Sequence, residues 1–220
     1  RALLVGGSRG MAGSISLSAI AAMRTGSGLV SVLTPDRCLE TVASFDPCLM
    51  TIPAPDTASG HFDTSAMTVF ETHAAKANAI GIGPGMGTGA GSIALVTLAC
   101  CMASVPRVFD ASSLGVVILL KGTSTLVTDG KEQWFNTTGN PGMSKGGSGD
   151  CLTGIITSLL GQGLTPYPAA KLGAYLHGHA GDLAANEIGE AGMTPMDLIK
   201  YLPFAMRDVI QSATPKGSIR

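Results

Sequence analysis

Short aliphatic runs alternate with longer segments of helical periodicity along most of this chain. The runs that predict strands lie at 2–7, 28–34, 47–53, 78–83, 106–110 and 116–122. The segments between them that predict helices lie at 12–24, 36–45 and 89–102. Alternation of this kind is typical of a largely parallel sheet with helices on both faces. The pattern therefore predicts a three-layer α/β/α fold.

The pattern changes in the second half of the chain. Asp129-Gly130 is a turn signal between β-like runs at 124–128 and 132–136, which predicts an antiparallel hairpin at the edge of the sheet. After Gly149 the periodicity becomes helical, at 150–160, 168–186 and 195–210. The chain contains no internal repeat, linker or low-complexity segment. We therefore expect a single domain that includes residues 1–220.

The junction between the strands at 106–110 and 116–122 is too short for a parallel fold. Only the residues ASSLG separate the two runs, whereas a parallel crossover needs about a dozen residues. Either the two strands pair antiparallel, or residues are missing near 111–116. We favour the second explanation, and an intact mass that equals the mass of these 220 residues would exclude it.

Composition excludes several classes of partner. The 220 residues carry a formal net charge of −1 and no run of Lys or Arg, so no nucleic-acid or anionic-membrane surface is expected. No apolar run reaches the roughly 18 residues of a membrane span, and no signal-peptide pattern opens the chain, which favours a cytoplasmic protein. Only 13% of the residues are charged, about half of the usual fraction. We therefore expect part of the surface to be buried in a homo-oligomer.

The cysteines and histidines give no metal-site pattern. The five cysteines are odd in number and contain no C-x-x-C pair, which favours reduced, buried thiols. The adjacent Cys100 and Cys101 lie in an apolar pattern. His177 and His179 are two residues apart on a predicted helix, so they should point to different faces.

The glycine-rich stretch NTTGNPGMSKGGSGD, at 136–150, is the strongest chemical signal. Five glycines between Gly139 and Gly149 precede Asp150 and a predicted helix. Glycines let successive backbone N–H groups converge, and a helix N-terminus adds unpaired donors and the positive end of its dipole. These features predict a phosphate site. Because an acid repels bound phosphate, Asp150 is predicted to be a base beside a phosphoryl group. The alternative is a helix cap, which stabilises by about 1 kcal/mol.

Three other glycine turns follow predicted strands: GGSRGMAGS, GIGPGMG and KGTST. We expect all four turns to lie at strand ends of one sheet and to border a long cleft. No stretch fits a Walker A loop or the G-x-G-x-x-G pattern. KGTST offers an ammonium group and three hydroxyls to a nucleotide, or is a plain turn before the hairpin. Gly13 and Ser14 either bind a second anion or cap the first helix.

These blocks together resemble the ADP-dependent NAD(P)H-hydrate dehydratases, a branch of the ribokinase-like superfamily. GNPGMSKGGSGDCLTG is similar to the signature of this branch. Further similar blocks follow in the order of the family: GGSRGMAGS, AAMRTGSGLVSV, AIGIGPGMG, VFDA, LLKGTSTLVTDG and AAKLGAYLHGHAGDLAA. The resemblance covers nearly the whole chain. It implies a ribokinase-like three-layer α/β/α fold with a mostly parallel central sheet and an edge hairpin.

The resemblance implies a metabolite-repair enzyme that restores hydrated NADH or NADPH (NADHX or NADPHX), with ADP as phosphoryl donor, Mg²⁺, and AMP and phosphate as products. Asp150 would be the catalytic base. A homotetramer is also implied. The residues implied to bind the nucleotide are Lys121, Gly122, Thr123, Ser124, Thr125, Gly146, Gly147, Ser148 and Gly149. The residues implied to face the hydrated cofactor are Ser14, Gly85, Asp110, Asn140 and Asp150.

Two departures from the family keep other functions open. The family carries a Pro-His-Pro-Gly-type turn, whose His helps to bind the hydrated cofactor, where this chain has its short junction. Family members also tend to have Ala at the position of Ser14. One alternative is a ribokinase-like kinase that phosphorylates a sugar or a vitamin precursor. A second is a nucleotide-binding oligomer without activity. Release of phosphate only in the presence of hydrated cofactor would distinguish the dehydratase from both.

Overall fold

The computed structural model describes residues 1–102, 105–109, 117–122 and 124–213. The strands in this part of the chain are Ala2–Val5 (β1), Val30–Pro35 (β2), Met50–Ala54 (β3), Ala79–Ile82 (β4), Arg107–Phe109 (β5), Ile118–Leu120 (β6), Leu126–Thr128 (β7) and Gln133–Phe135 (β8). The α-helices are Ala12–Arg24 (α1), Leu39–Ala43 (α2), Ala66–Ala74 (α3), Ala90–Cys101 (α4), Ser148–Gly161 (α5), Pro166–Ile188 (α6) and Pro195–Ala213 (α7). Short 3₁₀ turns lie at Asp36–Cys38 and Pro141–Met143.

A parallel five-stranded sheet forms the middle layer. Its order is β3-β2-β1-β4-β5, and every neighbouring pair is parallel. Leu4 on β1 belongs to a core cluster that includes residues of α1, α5, α6 and α7, whereas the adjacent Leu3 and Val5 belong to a second cluster with residues of α3 and α4. Because both faces are covered, all four residues of β1 are buried, as the continuous apolar run indicates. The predicted three-layer α/β/α fold is confirmed.

A second sheet lies beside α6. Strands β6, β7 and β8 pair antiparallel, and the predicted turn joins β7 to β8. The Asp129 carboxylate accepts the backbone N–H groups of Lys131 and Glu132, which fixes this turn. One face of the sheet packs on α6 around the buried Val127. The hairpin is therefore confirmed, but the expectation that the four glycine turns end strands of one sheet is wrong. KGTST follows β6, in the smaller sheet.

The short junction separates these two sheets. Strand β5 pairs with β4 in the parallel sheet, and β6 pairs with β7 in the antiparallel one. The described strands therefore do not support the antiparallel pairing of β5 with β6. Residues 110–116 lie outside the described part of the chain. That residues are missing at this point stays a prediction.

Several elements differ from the sequence pattern. Segment 36–45 forms a 3₁₀ turn followed by the five-residue α2. Helix α3 was not predicted, because its fully buried face consists only of Ala66, Phe70 and Ala74. The expectation of buried thiols holds for two of the five cysteines and is wrong for the other three. Cys38 and Cys151 are buried, and Cys48, Cys100 and Cys101 are exposed.

No helix in the described ranges has the length and hydropathy needed to cross a membrane.

Candidate active site

The turns that follow β1 and β4 contact each other. The Gly7 N–H donates to the Pro84 carbonyl at 2.8 Å, and the Ser8 hydroxyl donates to the Gly85 carbonyl at 2.8 Å. Gly85 has a left-handed φ of +68°, and a Cβ at this position would lie 3.0 Å from the Cβ of Ser14. Glycine is therefore required by both the backbone and the close approach. The structure thus brings together Ser14 and Gly85, two residues predicted to face the hydrated cofactor.

Helix α1 begins beside these turns without a side-chain cap. Its N-cap residue is Met11, whose side chain makes no capping hydrogen bond, and its first turn contains no acid. Ser14 is the third helical residue, so neither Gly13 nor Ser14 is the N-cap. The capping alternative for these two residues is therefore wrong.

Helix α5 begins at Ser148, two residues before the predicted start. Its N-cap is Gly147, with a left-handed φ of +95° and no side-chain capping bond. A Cβ on Gly147 would lie 2.6 Å from Leu17 and 3.2 Å from Pro195, so both conformation and space favour glycine here. Asp150 is the half-buried third residue of the helix and the acid of its first turn. Asp150 is therefore not the N-cap, and the capping alternative is wrong for it too.

Helices α1 and α5 pack closely and run in the same direction. The Ser18 hydroxyl donates to the Asp150 carbonyl at 2.7 Å, and beyond the end of α1 the Ser27 hydroxyl donates to Ser158, further along α5, at 2.9 Å. A Cβ on Gly154 would overlap the Ser18 carbonyl oxygen. Because Ser14 precedes Ser18 by one helical turn, Ser14 and Asp150 lie at the same end of two adjacent helices.

Lys121, the residue after β6, approaches the start of α5. Its Nζ is so close to Gly149 that a Cβ on Gly149 would collide with it. Two parts of the predicted nucleotide site, KGTST and the start of α5, are therefore adjacent. A cation at this end of the helix adds to the positive end of the dipole and favours a bound anion.

The remaining nucleotide residues are less constrained in the structure. Gly122, Ser124 and Gly146 are exposed, and the Thr125 carbonyl accepts the Asn136 N–H at 2.8 Å in the hairpin. The predicted site residues Thr123 and Asp110 lie outside the described residues. The roles assigned to these residues stay predictions.

His177, which was not predicted as a site residue, contacts the first residue of α5. Its Nε2 lies 2.8 Å from the Ser148 carbonyl oxygen and 3.1 Å from the Ser148 hydroxyl. Burial, and secondarily the nearby charge of Lys121, lowers the pKa of His177 to about 4, so the ring is neutral at pH 7. His179 points elsewhere and contacts Asp208 at 3.0 Å, as predicted. The sequence signal that could have identified His177 is that it is a single polar residue on an α6 face of small residues. These small residues are Ala170, Gly173, Ala174, Ala180, Gly181 and Ala184.

Asn140 and Lys145 hold the glycine-rich turn in place. Asn140 accepts the Gly142 N–H at 3.0 Å and donates to the Asp182 carboxylate at 3.0 Å. The Lys145 ammonium donates to the Ala191 carbonyl at 2.8 Å and to the Met193 carbonyl. The exposed Lys145 therefore ties the glycine-rich turn to the segment before α7. The substrate contact expected of Asn140 stays a prediction.

A family comparison agrees with this arrangement. The family model described as NAD(P)H-hydrate dehydratase matches residues 2–117 and 111–204. The chain belongs to this family. The two matches meet at 111–117, which is the short junction between β5 and β6.

Relatives support the same family, and a solved structure shows the same fold. The bifunctional NAD(P)H-hydrate repair enzyme Nnr of Moorella thermoacetica is 34% identical over 95% of this chain and 49% of that protein. The ADP-dependent (S)-NAD(P)H-hydrate dehydratase of Cenarchaeum symbiosum is 39% identical over 44% of this chain and 33% of that protein. The ADP/ATP-dependent NAD(P)H-hydrate dehydratase of Bacillus subtilis, crystallised with ATP/Mg²⁺ and soaked with CoA, has the same fold. Its TM-score is 0.78 at 24% identity, over 94% of this chain and 91% of that one.

The length of the match to the Moorella protein is informative. This chain spans about half of that relative. Within the match, the alignment runs over 263 residues, more than the 220 residues of this chain. That relative therefore has residues inside the matched region that have no counterpart here.

Proposed function

We propose that this chain dehydrates NADHX and NADPHX to the normal cofactors, with ADP as the phosphoryl donor. The observation that carries this proposal is the start of α5, where Asp150 follows a glycine N-cap and Lys121 lies against Gly149. Ser14 and Gly85 approach each other at the same end of the parallel helix α1. The site thus combines a carboxylate base, an anion-binding helix start and an adjacent wall for a second substrate.

Asp150 begins the reaction as a general base. Its carboxylate takes the proton of the ring hydroxyl while the hydroxyl oxygen bonds to the terminal phosphorus of ADP. AMP leaves with the electron pair of the broken P–O bond. The backbone N–H groups of Gly147 and Gly149 face the phosphoryl group, whereas the Ser148 N–H donates to the Lys145 carbonyl at 3.2 Å. The Lys121 ammonium neutralises part of the phosphoryl charge. These groups stabilise charge that develops during the transfer.

Elimination follows phosphoryl transfer. Phosphate is a better leaving group than hydroxide, so the lone pair of the ring nitrogen expels it as the C–O bond breaks. Loss of a ring proton then restores NADH or NADPH. Mg²⁺ would accompany the nucleotide, because it binds mainly through phosphate oxygens and water, and would neutralise phosphate charge. The described residues contain no group of three or more His, Cys, Asp or Glu that could hold a metal ion.

The test uses acid-treated NADH, which contains the hydrated form. Purified protein is added with Mg²⁺ and either ADP or ATP, and absorbance is followed at the reduced-nicotinamide band. We expect a nucleotide-dependent rise that is faster with ADP than with ATP, with one phosphate released for each NADH restored. A flat trace from folded protein that binds ADP would contradict the proposal and favour the kinase alternative.

A further inference from the structure

Two oxygens of Ser148 face the same nitrogen of His177. The Nε2 atom lies 2.8 Å from the carbonyl oxygen of Ser148 and 3.1 Å from its hydroxyl oxygen. A carbonyl oxygen can only accept a hydrogen bond, so Nε2 must carry a hydrogen at this contact. The structure therefore determines the tautomer of His177 from its partner.

A nitrogen that carries its hydrogen cannot accept the proton of the Ser148 hydroxyl. The ring is neutral because it is buried, with 8% of its surface exposed, and its pKa is lowered to about 4. Nε2–H can share its hydrogen with the hydroxyl oxygen, but the O–H bond itself must point elsewhere. Within the described ranges, the Ser148 hydroxyl has no hydrogen-bonding contact besides His177.

The position of Ser148 indicates which partner can accept a hydrogen bond from its O–H group. Ser148 is the first residue of α5, between the left-handed Gly147 and Gly149, against which Lys121 lies. The positive end of the α5 dipole and the Lys121 ammonium meet at this point, so an anion is the partner that matches a further O–H donor.

We propose that His177 is a positioning residue that keeps the Ser148 hydroxyl as a hydrogen-bond donor to the transferring phosphoryl group. This inference rests on the proposed function, in which the terminal phosphate of a nucleotide binds at the start of α5. His177 acts through Ser148 and does not touch the nucleotide. Its role is to supply a hydrogen to the serine oxygens and never to accept one.

Replacement of His177 tests the direction of this hydrogen bond. His177→Gln retains an N–H donor at nearly the position of Nε2, whereas His177→Met fills the space without a donor. The matched control is His179→Met, on another face of α6. Calorimetry measures the affinity for ADP with Mg²⁺ and for AMP, which lacks the terminal phosphate. We expect His177→Met to weaken ADP binding roughly tenfold to a hundredfold, as for a lost hydrogen bond to a charged group.

Affinity for AMP should change by less than about twofold in His177→Met, since a terminal-phosphate contact is absent from AMP. His177→Gln and His179→Met should bind both nucleotides like the unmodified protein. Equal losses for ADP and AMP would overturn the proposal, because they would indicate general distortion of the site. Unchanged ADP affinity in His177→Met would overturn it as well.

Ser148→Ala supplies the second measurement. If His177 acts through the hydroxyl, the double variant Ser148→Ala/His177→Met should bind ADP as tightly as whichever single variant has the lower ADP affinity. If the fold-losses in ADP affinity of the two single variants multiply in the double variant, His177 acts independently of the hydroxyl, and the proposal is overturned. Both measurements use binding alone. Failure of the dehydratase proposal, which would appear as ADP binding without restoration of NADH, is therefore distinguishable from failure of this one.

Discussion

Helices α1 and α5 both start without a side-chain cap and differ in what surrounds their starts. Both N-cap residues, Met11 and Gly147, lack a side-chain capping bond, and both helices run in parallel from the same end. The third residue is Ser14 in α1 and Asp150 in α5. Two helix starts that both lack a side-chain cap therefore differ in charge, since only the α5 start carries an acid in its first turn.

The neighbours of each start account for this difference. The start of α1 is approached by Gly85, a residue without a side chain. The start of α5 is approached by Lys121, and its first residue contacts the buried, neutral His177. An acid in the first turn is stabilised by the helix dipole and by a nearby cation. In the proposed function, the α5 start therefore holds both a carboxylate and, beside it, a phosphoryl group.

Loss of the Asp150 charge, at the third position of α5, should have the largest effect on turnover. Asp150→Asn keeps the size of the side chain and removes the base, so we expect turnover of NADHX to fall roughly 10²- to 10⁴-fold. The affinity for ADP should stay the same or rise, because a negative neighbour of the phosphate is lost. The hydrated-NADH assay and calorimetry measure the two quantities.

The matched change on α1 is Ser14→Ala. Because Ser14 carries no charge and the family tends to have Ala at this position, turnover should stay within a few-fold of the unmodified rate. An unchanged rate in Asp150→Asn would show that Asp150 is not the catalytic base and would remove the chemical difference between the two helices.

Separation of the two helices should have an intermediate effect. Gly154→Ala puts a methyl group where the Ser18 carbonyl oxygen lies, so α1 and α5 must move apart, which should cost about 1–3 kcal/mol in the free energy of unfolding. Gly161→Ala, at the other end of α5, is the control, since its new methyl group would lie 3.6 Å from Ala79, an ordinary contact. Urea denaturation measures both. Equal stability of the two variants would show that the contact between α1 and α5 is not close.

The sequence predicted the features that depend on local pattern. Helix α1 was predicted over the residues it occupies, Ala12–Arg24, because its apolar face repeats with helical periodicity. The start of α5 was predicted too late, because an Asp suggests a cap whereas the left-handed conformation of Gly147 leaves no sequence signal beyond glycine itself. The contact of His177 with Ser148 joins residues 29 positions apart on two helices. Such contacts depend on packing, which periodicity does not encode.

The homo-oligomer stays a prediction. The smaller sheet differs from the parallel sheet in that one of its faces is apolar and exposed. The outer face of β6 and β8 leaves Ile118, Leu120 and Phe135 exposed, whereas β1 and β4 are buried throughout. Sequence reasoning assigned all these strands to one sheet, because an apolar run looks the same whether both of its faces are covered or only one. The difference between the two sheets could be found only from the pairing of the strands.

The smallest expected effect concerns the approach of Lys121 to the start of α5. Gly149→Ala would put a methyl group where the Lys121 ammonium lies, and the flexible tip of the lysine can move aside at little cost in stability. We expect the KM for ADP to rise a few-fold, since one cation moves away from the phosphate, while the melting temperature stays nearly constant. Gly146→Ala, with no atom within 4 Å of the new methyl group, is the control and should leave KM unchanged. Equal KM values for both variants would mean that Lys121 does not serve the nucleotide, and the proposed phosphate site would then depend on the backbone N–H groups at the α5 start alone.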